Sequence, residues 1–313
     1  MKTVTKISIL LITLIVAALL LTRMQSSSAS NLPLIAIANY GPHSSLEESI
    51  RGIKDGIAKQ GLQVRFEIAD VSFDTSLIMQ MISKFKAMKP KIIVVQATPV
   101  AQAAKNMVKD IPIVFVDITD PHEARLDDIP GASDQQDLKS MLKFVRMLIP
   151  KAKRIGMLYS TSEANDAALL KMMQAAAKSE NMGIFAIPIE QSRDIAVRMK
   201  AFKDRVDAIY VGSSGVVQPS LPTIVALAEE MGIPVVNVNS EEVKTGKVFA
   251  SFGVSYYKVG MNAAEIIGKI LEGKKPGIIY PTSADHEAFI SRKRAAKIGF
   301  VIPDNVPDLH VVE

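Results

Sequence analysis

Among its 313 residues the chain has no cysteine and no tryptophan, and aromatic residues make up only 5% of it. Without cysteine there is no disulfide framework, no thiolate zinc site, no cysteine nucleophile and no racemase built on paired cysteines. The lipid-anchoring cysteine of a bacterial lipoprotein is excluded as well. Histidine is scarce: His43, His122, His286 and His310 lie far apart, and His286-Glu287 is not followed by the second histidine of an HExxH zinc motif. No GxGxxG follows the first apolar run, and neither a P-loop nor a GxSxG elbow occurs. No basic run is present, so no nucleic-acid partner is expected. No cofactor and no metal are expected either.

What is present is apolar. The hydrophobic fraction is 48%, and a chain of this length can bury two ordinary cores. Residues 1–30 read as an export signal. Lys2 and Lys6 form a charged start, ISILLITLIVAALLL (7–21) an apolar centre, and SSSAS (26–30) a small-residue cleavage region. The run is short for a membrane span, yet Arg23 and Met24 make an imperfect approach to the cleavage site, so an uncleaved anchor is the alternative. Either way the rest of the chain is expected outside the cytoplasm, in the periplasm. Losing Lys2, Lys6 and Arg23 takes the formal net charge from +5 to +2.

From residue 34 onward, short β-branched runs alternate with helical stretches. Strands are expected at 34–39, 64–70, 91–97 and 111–117, and helices at 44–61 and 75–89. Ser44 and Ser45 each stand three residues before a glutamate, a capping-box pattern, while Thr98 before Pro99 suggests a cap with proline in the first helical position. The same order then recurs: strand 154–160, helix 164–178, strand 183–189, helix 193–205, strand 206–214, strand 232–239. Ile35 and Ile155 are 120 residues apart, and the Ile-Pro-apolar signature at Ile111 returns 122 residues on at Ile233. A duplicated α/β unit of about 120 residues follows, giving two Rossmann-like lobes with parallel sheets covered on both faces. A third strand–helix unit (247–276) and a tail belong to neither repeat. They imply a multi-strand hinge, with 31–120 plus about 247–276 in lobe 1 and about 125–245 plus 277–313 in lobe 2.

In open parallel sheets ligands bind beyond the carboxyl ends of the strands. With two lobes facing one another, those ends define one cleft. Asn39, Tyr40, Thr98, Pro99, Gln102, Thr119, Asp120, Tyr159, Ser162, Glu163, Asn165, Ser213, Ser214, Asn239, Ser255 and Tyr256 fall there. Taken singly, Thr98 and Ser162 are ordinary helix caps, Asp120-Pro121 is a turn, and Tyr40 and Tyr159 are rim residues. Together they are hydroxyls, amides and tyrosines, a set suited to holding a small polar molecule and poor for attacking one. That points away from an enzyme.

Several blocks carry a resemblance. KPKIIVVQATPVAQAAKN (89–106), DIPIVFVDITDP (110–121), RIGMLYSTSEAND (154–166), VDAIYVGSSGVV (206–217), GIPVVNVNS (232–240), FGVSYYKVG (252–260) and AAKIGFVIP (295–303) stand in order. Together they resemble the ABC-transporter substrate-binding family that includes the tryptophan-binding protein TrpX. The resemblance covers residues 34–303, and its most specific elements are ATPxAQ, TDP and YxxSExN. It implies a type I periplasmic-binding fold and an amino acid or derivative held between the lobes by hinge closure. Delivery to an ABC permease in the inner membrane is implied too. A sensory module presenting its closed form to a membrane receptor or kinase is the alternative. A monomer is expected, since no extra interaction segment is visible.

By position, the resemblance implies that Thr98, Pro99, Gln102, Thr119 and Asp120 line the first lobe's side, and Ser162, Glu163 and Asn165 the second's. The helix start near Ser162 would hold a carboxylate, and Tyr40 or Tyr159 would cover an apolar part. The chain departs from the family where many members have Asp-Asn (here Ser213-Ser214), Asp (here Asn239) and GxDYY (here Ser255 before Tyr256). A buried ammonium without a carboxylate partner is costly. With those acids gone, the expectation is a ligand less cationic than a free amino acid.

Overall fold

The computed structural model describes residues 32–313; the export-signal expectation for residues 1–30 lies outside the described residues. Five strands, β1 (Leu34–Asn39), β2 (Arg65–Asp70), β3 (Ile92–Gln96), β4 (Ile113–Ile118) and β5 (Gly131–Ser133), form a parallel sheet in the order β2-β1-β3-β4-β5. In the second half β6 (Arg154–Ser160), β7 (Gly183–Ile189), β8 (Ala208–Val211), β9 (Val235–Asn237) and β10 (Ala250–Val254) repeat that order as β7-β6-β8-β9-β10. The duplication legible in the sequence is therefore a duplication of topology. The last strands are shared out: β11 (Ile278–Ile279) extends the first sheet beside β5, while β12 (His286–Ser291) and β13 (Leu309–Val312) extend the second. Among the described residues only the β10–β12 pairing is antiparallel.

The central strands are apolar on both faces because helices cover both. In the first sheet Ala36, Ala38, Ile93, Val95 and Phe115 face the helices Ile78–Ala87 and Thr98–Met107. The alternate residues Ile35, Ile37, Ile92, Val94, Val114 and Val116 face the helices Ser44–Lys59 and Tyr256–Leu271. Those two helices approach until their backbones touch. A Cβ on Gly52 would lie 2.2 Å from the Tyr257 carbonyl oxygen, and one on Gly260 would lie 2.1 Å from that of Ser49. Glycine at both positions lets the late helix join the first lobe.

The chain passes between the sheets three times, after β5, between β10 and the helix Tyr256–Leu271, and after β11. This differs from the division expected along the chain. Strand β10 pairs with β9 and β12 in the second sheet, and only the helix after it joins the first, because its apolar stripe of Val259, Ala263, Ile266 and Ile267 meets the first core. Residues 131–133 and 278–279 likewise belong to the first sheet. The crossings are bonded to each other. Val254 N–H donates to Gln136 Oε1 (3.3 Å), Asp137 N–H to His286 Nε2 (2.9 Å), and Ser255 N–H to the Asp285 carbonyl (3.0 Å).

Local starts differ from expectation in three places. His43, not a serine capping box, caps the helix Ser44–Lys59, its ring accepting from Ser45 N–H. Thr98 is already helical and caps nothing: the chain enters through Ala97, held at φ 70°. The stretch expected as one helix at 193–205 holds a single short α-turn, Ile195–Arg198, between two 3₁₀ turns.

Candidate functional site

A cavity of about 50 Å³, room for a few water-sized groups, lies between the carboxyl ends of the two sheets. The first lobe contributes Tyr40, His43, Ser45, Leu46, Phe73, Ala97, Thr98, Pro99, Asp117, Thr119 and Asp134; the second contributes Glu163, Asn165, Ser213, Ser214, Gly215 and Gln218. Tyr256 enters from a crossing segment.

Nine of the expected residues meet here: Tyr40, Thr98, Pro99, Thr119, Glu163, Asn165, Ser213, Ser214 and Tyr256. Seven do not line the cavity, and each has another occupation. Asn39 accepts from Gly41 N–H, and Gln102 donates to the Ala124 carbonyl. Asp120 Oδ1 accepts from the amides of His122 and Glu123, both at 3.0 Å. Tyr159 packs on the second lobe's core. Ser162 is exposed and bonded to Ser160, so it does not form the carboxylate seat expected at that helix start; Glu163 occupies the cap position. Asn239 and Ser255 line a different crevice, with Arg51 and Lys244.

The residues that sequence reasoning missed include the most informative ones. Asp117 interrupts the apolar strand β4, at a register shift and with φ 58°, a conformation uncommon for residues other than glycine. Its carboxyl is almost wholly buried and accepts from Gln96 Nε2 (2.7 Å) and Ser49 Oγ (2.8 Å). Asp134 sits where the chain leaves the first lobe and is 1% exposed. Tyr256 Oη donates to its Oδ2 at 3.2 Å, while its Oδ1 has no hydrogen-bond partner. Burial pushes Asp117 well above the usual carboxylate range, and the neighbouring Asp134 charge adds to this. Burial raises Asp134 to about 6. One signal was available: an acid inside an otherwise apolar buried strand needs a reason to be there.

The second lobe's acid is held differently. Glu163 accepts from Ser214 Oγ (2.8 Å), Gly215 N–H (3.2 Å) and Val216 N–H (3.4 Å), and burial raises it above its ordinary value. Behind it Asp166, pushed up to about 7 by burial and by Glu163, accepts from Ser160 N–H at 2.5 Å. Tyr40 reaches across from the first lobe. A Cβ on Gly215 would lie 2.5 Å from its ring and 2.7 Å from Glu163 Oε1, so glycine is what lets the ring seat there. Phe73 meets Tyr40 edge-on at 5.4 Å, completing an apolar wall with Leu46 and Pro99. His43 is held below its usual value, chiefly by burial.

Further bonds join the lobes around the cavity. Thr119 Oγ1 and Ser213 Oγ lie 3.3 Å apart. At the rim, Ser44 Oγ donates to Glu242 Oε1 (2.6 Å) and accepts from Asn239 Nδ2 (2.8 Å). Asn239 thus ties the lobes together. Asn239 and Ser255 lie outside the cavity, so their neutrality says nothing about ligand charge, whereas Ser213 and Ser214, where many members have Asp-Asn, do line it. Three other acids, Asp117, Asp134 and Glu163, lie inside it, so the cavity keeps carboxyls that can meet an ammonium group.

Residues 34–310 match the family described as ABC transporter substrate binding protein. A tyrosine-binding protein of Clostridioides difficile (strain R20291) is 30% identical over 275 residues, covering 84% of this chain and 79% of the relative. Two solved structures are similar. An ABC domain in complex with L-Trp from Streptococcus pneumonia superposes with a TM-score of 0.83 at 25% identity, over 90% of this chain and all of that one. The ligand-free, open structure of a substrate-binding protein with adhesive properties from Clostridium difficile gives 0.69 at 26% identity, over 90% of this chain and 99% of that one. The two lobes, the three crossings and the match along nearly the whole described chain lead to one conclusion: this chain belongs to the ABC transporter substrate-binding protein family and has the type I periplasmic-binding fold.

Proposed function

We propose that this protein is the exported solute-binding component of an ABC importer, and that it captures an amino acid or amino-acid derivative between its lobes. The observation that carries the reading is the cavity itself, lined by residues of both lobes and holding buried acids beside an aromatic wall. The ligand's ammonium group is met by Asp134 and Asp117. Its apolar body lies against Tyr40, Phe73 and Leu46, and Thr98, Thr119, Ser213, Ser214 and Asn165 supply the remaining polar contacts. The names of the relatives, a tyrosine binder and an L-Trp complex, support an aromatic amino-acid class.

Capture works through hinge closure. Contacts made by both lobes exist only when the lobes are together, so a ligand that bridges them shifts the population toward the closed form. The bonds Thr119–Ser213 and Ser44–Glu242, and the better superposition on the L-Trp complex than on the open structure, support the closed form here. The closed shape is what an inner-membrane permease partner recognises. The protein acts as a monomer.

Isothermal titration with a panel of amino acids and derivatives, paired with small-angle scattering, tests this. The expected result is a single site and a smaller radius of gyration on saturation. Binding without compaction would rule out the closure mechanism, and no binding across the panel would rule out the ligand class.

A further inference from the structure

Two buried acids on the first lobe's side of the cavity raise the question of how much charge they carry together. Asp117 and Asp134 are both almost wholly buried, and among the described residues lining the cavity no lysine or arginine balances them. Two buried carboxylates without a cation are costly, so one of the pair must do without its charge.

The hydrogen bonds show which one can. Asp117 Oδ1 lies 2.8 Å from Ser49 Oγ, and that hydroxyl lies 3.1 Å from the Tyr256 carbonyl oxygen and 3.3 Å from that of Ser45. A protonated Asp117 can therefore donate to Ser49, whose own proton turns to the Tyr256 carbonyl, while Gln96 Nε2 still donates to Oδ2. Each oxygen of that arrangement keeps a partner. Asp134 has no such outlet. Its Oδ2 accepts from Tyr256 Oη at 3.2 Å, and its Oδ1 has no partner among the described residues. A proton on Oδ1 finds no acceptor there, and a charge on it finds no cation until a ligand brings one. Burial holds Asp134 at about 6 and Asp117 well above the usual carboxylate range. The groups facing the pair are Tyr256 and Tyr210, both kept neutral by burial; His43, Tyr40 and, across the cavity, Glu163 with Asp166 behind it are the next titratable neighbours.

We propose that Asp117 stays protonated across the neutral range and that Asp134 alone carries the charge of the pair, so that capture of a ligand's ammonium group expels the proton Asp134 holds in the free protein. The neutral carboxyl becomes a carboxylate paired with the ammonium, and the proton leaves to solvent as the lobes close. One negative charge thus meets one ammonium. The ligand keeps its carboxylate, for which the hydroxyls of Ser45, Thr98, Thr119 and Ser213 line the same cavity. Capture is thereby weakened in acid. This deepens the proposed function and rests on reading the cavity as the ligand site.

The test titrates L-tyrosine and L-tryptophan calorimetrically into the purified protein at pH 5 and pH 7.5, in buffers of different ionisation enthalpy. A paired ammonium favours the charged carboxyl, so most of one proton is expected to be released per ligand at pH 5 and almost none at pH 7.5. Affinity is expected to be about tenfold lower at pH 5. Asp134→Asn, checked for folding by circular dichroism, is expected to bind more weakly and to lose both the release and the pH dependence. Asp117→Asn, whose amide keeps that position neutral, is expected to keep the release, whatever its affinity. Infrared spectra read the two acids separately. At pH 7.5 the free protein is expected to show a protonated carboxyl band that Asp117→Asn lacks. At pH 5 a further band, the one missing from Asp134→Asn, is expected to vanish on saturation with ligand. Binding without proton release, or a release that survives in Asp134→Asn, overturns the proposal while leaving the ligand site in place. So does a protonated carboxyl band at pH 7.5 that is unchanged in Asp117→Asn. No binding of either amino acid overturns the reading of the site and the coupling with it.

Discussion

The two lobes share one strand order but treat their acids in opposite ways. In the first lobe Asp134 faces the cavity with one oxygen lacking a partner, and Asp117 is wedged into a distorted strand. In the second lobe Glu163 lies at the same cavity with its lone pairs taken up by a hydroxyl and two amides. A repeated topology thus places loops at matching points without giving them matching chemistry. One side is open to a ligand's positive charge. The other is already satisfied and serves as a surface for Tyr40 to close against.

The comparison breaks most sharply if the open acid is removed. Asp134→Ala is expected to weaken ligand binding by about 2–5 kcal/mol, the usual consequence of truncating one member of a buried charged pair. Glu163→Gln, measured by the same titration, should cost less, because its oxygens are already held by Ser214, Gly215 and Val216. Equal losses would mean that the two acids have the same role.

Next in size is the joint that ties the late helix to the first lobe. Gly52→Ala places a methyl 2.2 Å from a backbone oxygen, so the two helices must separate. A destabilisation of about 1–3 kcal/mol is expected, as for other overpacked contacts, and is read as a fall in Tm.

The pH dependence of the free protein separates the acids as well. An acid whose folded value lies above its unfolded one favours folding while protonated. For Asp134 that contribution is present in full below 3.8 and lost as the pH rises through about 6. Asp134→Asn should therefore gain Tm relative to the parent at pH 7.5, with the gain shrinking toward pH 4. A constant offset across that range would show that Asp134 is not held up by burial.

A smaller effect is expected at the rim. Ser44→Ala removes the bonds to Glu242 and Asn239 without touching the cavity lining, and should weaken binding by about 1 kcal/mol by favouring the open form. Scattering on the free protein checks the cause. The smallest belongs to Ser162→Ala, expected to change affinity by no more than about 0.5 kcal/mol because the side chain is exposed and outside the cavity.

Much of this molecule was legible along the chain. The alternation of apolar runs and helices, the offset of about 120 residues and the carboxyl-end rule placed the cleft between Thr98, Thr119, Glu163 and Asn165, where it is found. The residues misjudged were those whose side chains turn away. Asp120 and Ser162 stand in the right loops but bond within their own turns, and Gln102 sends its amide to the Ala124 carbonyl; no one-dimensional pattern records a rotamer. Asp117 was overlooked because it read as the closing residue of an apolar strand, and only the fold shows its carboxyl buried against the cavity.

The sequence by itself determined the two-lobed parallel architecture, because burial on both faces of a sheet writes a periodic apolar signature that survives without partners, and its motif blocks, ATPxAQ, TDP and YxxSExN, carried the resemblance to the family. Only the tertiary structure decided which late strand joins which sheet, that Asn239 ties the lobes together, and that Asp117 and Asp134 share one cavity. Those facts depend on side chains that lie close in space but far apart in the chain, and on the orientation of each carboxyl, which local propensity leaves open.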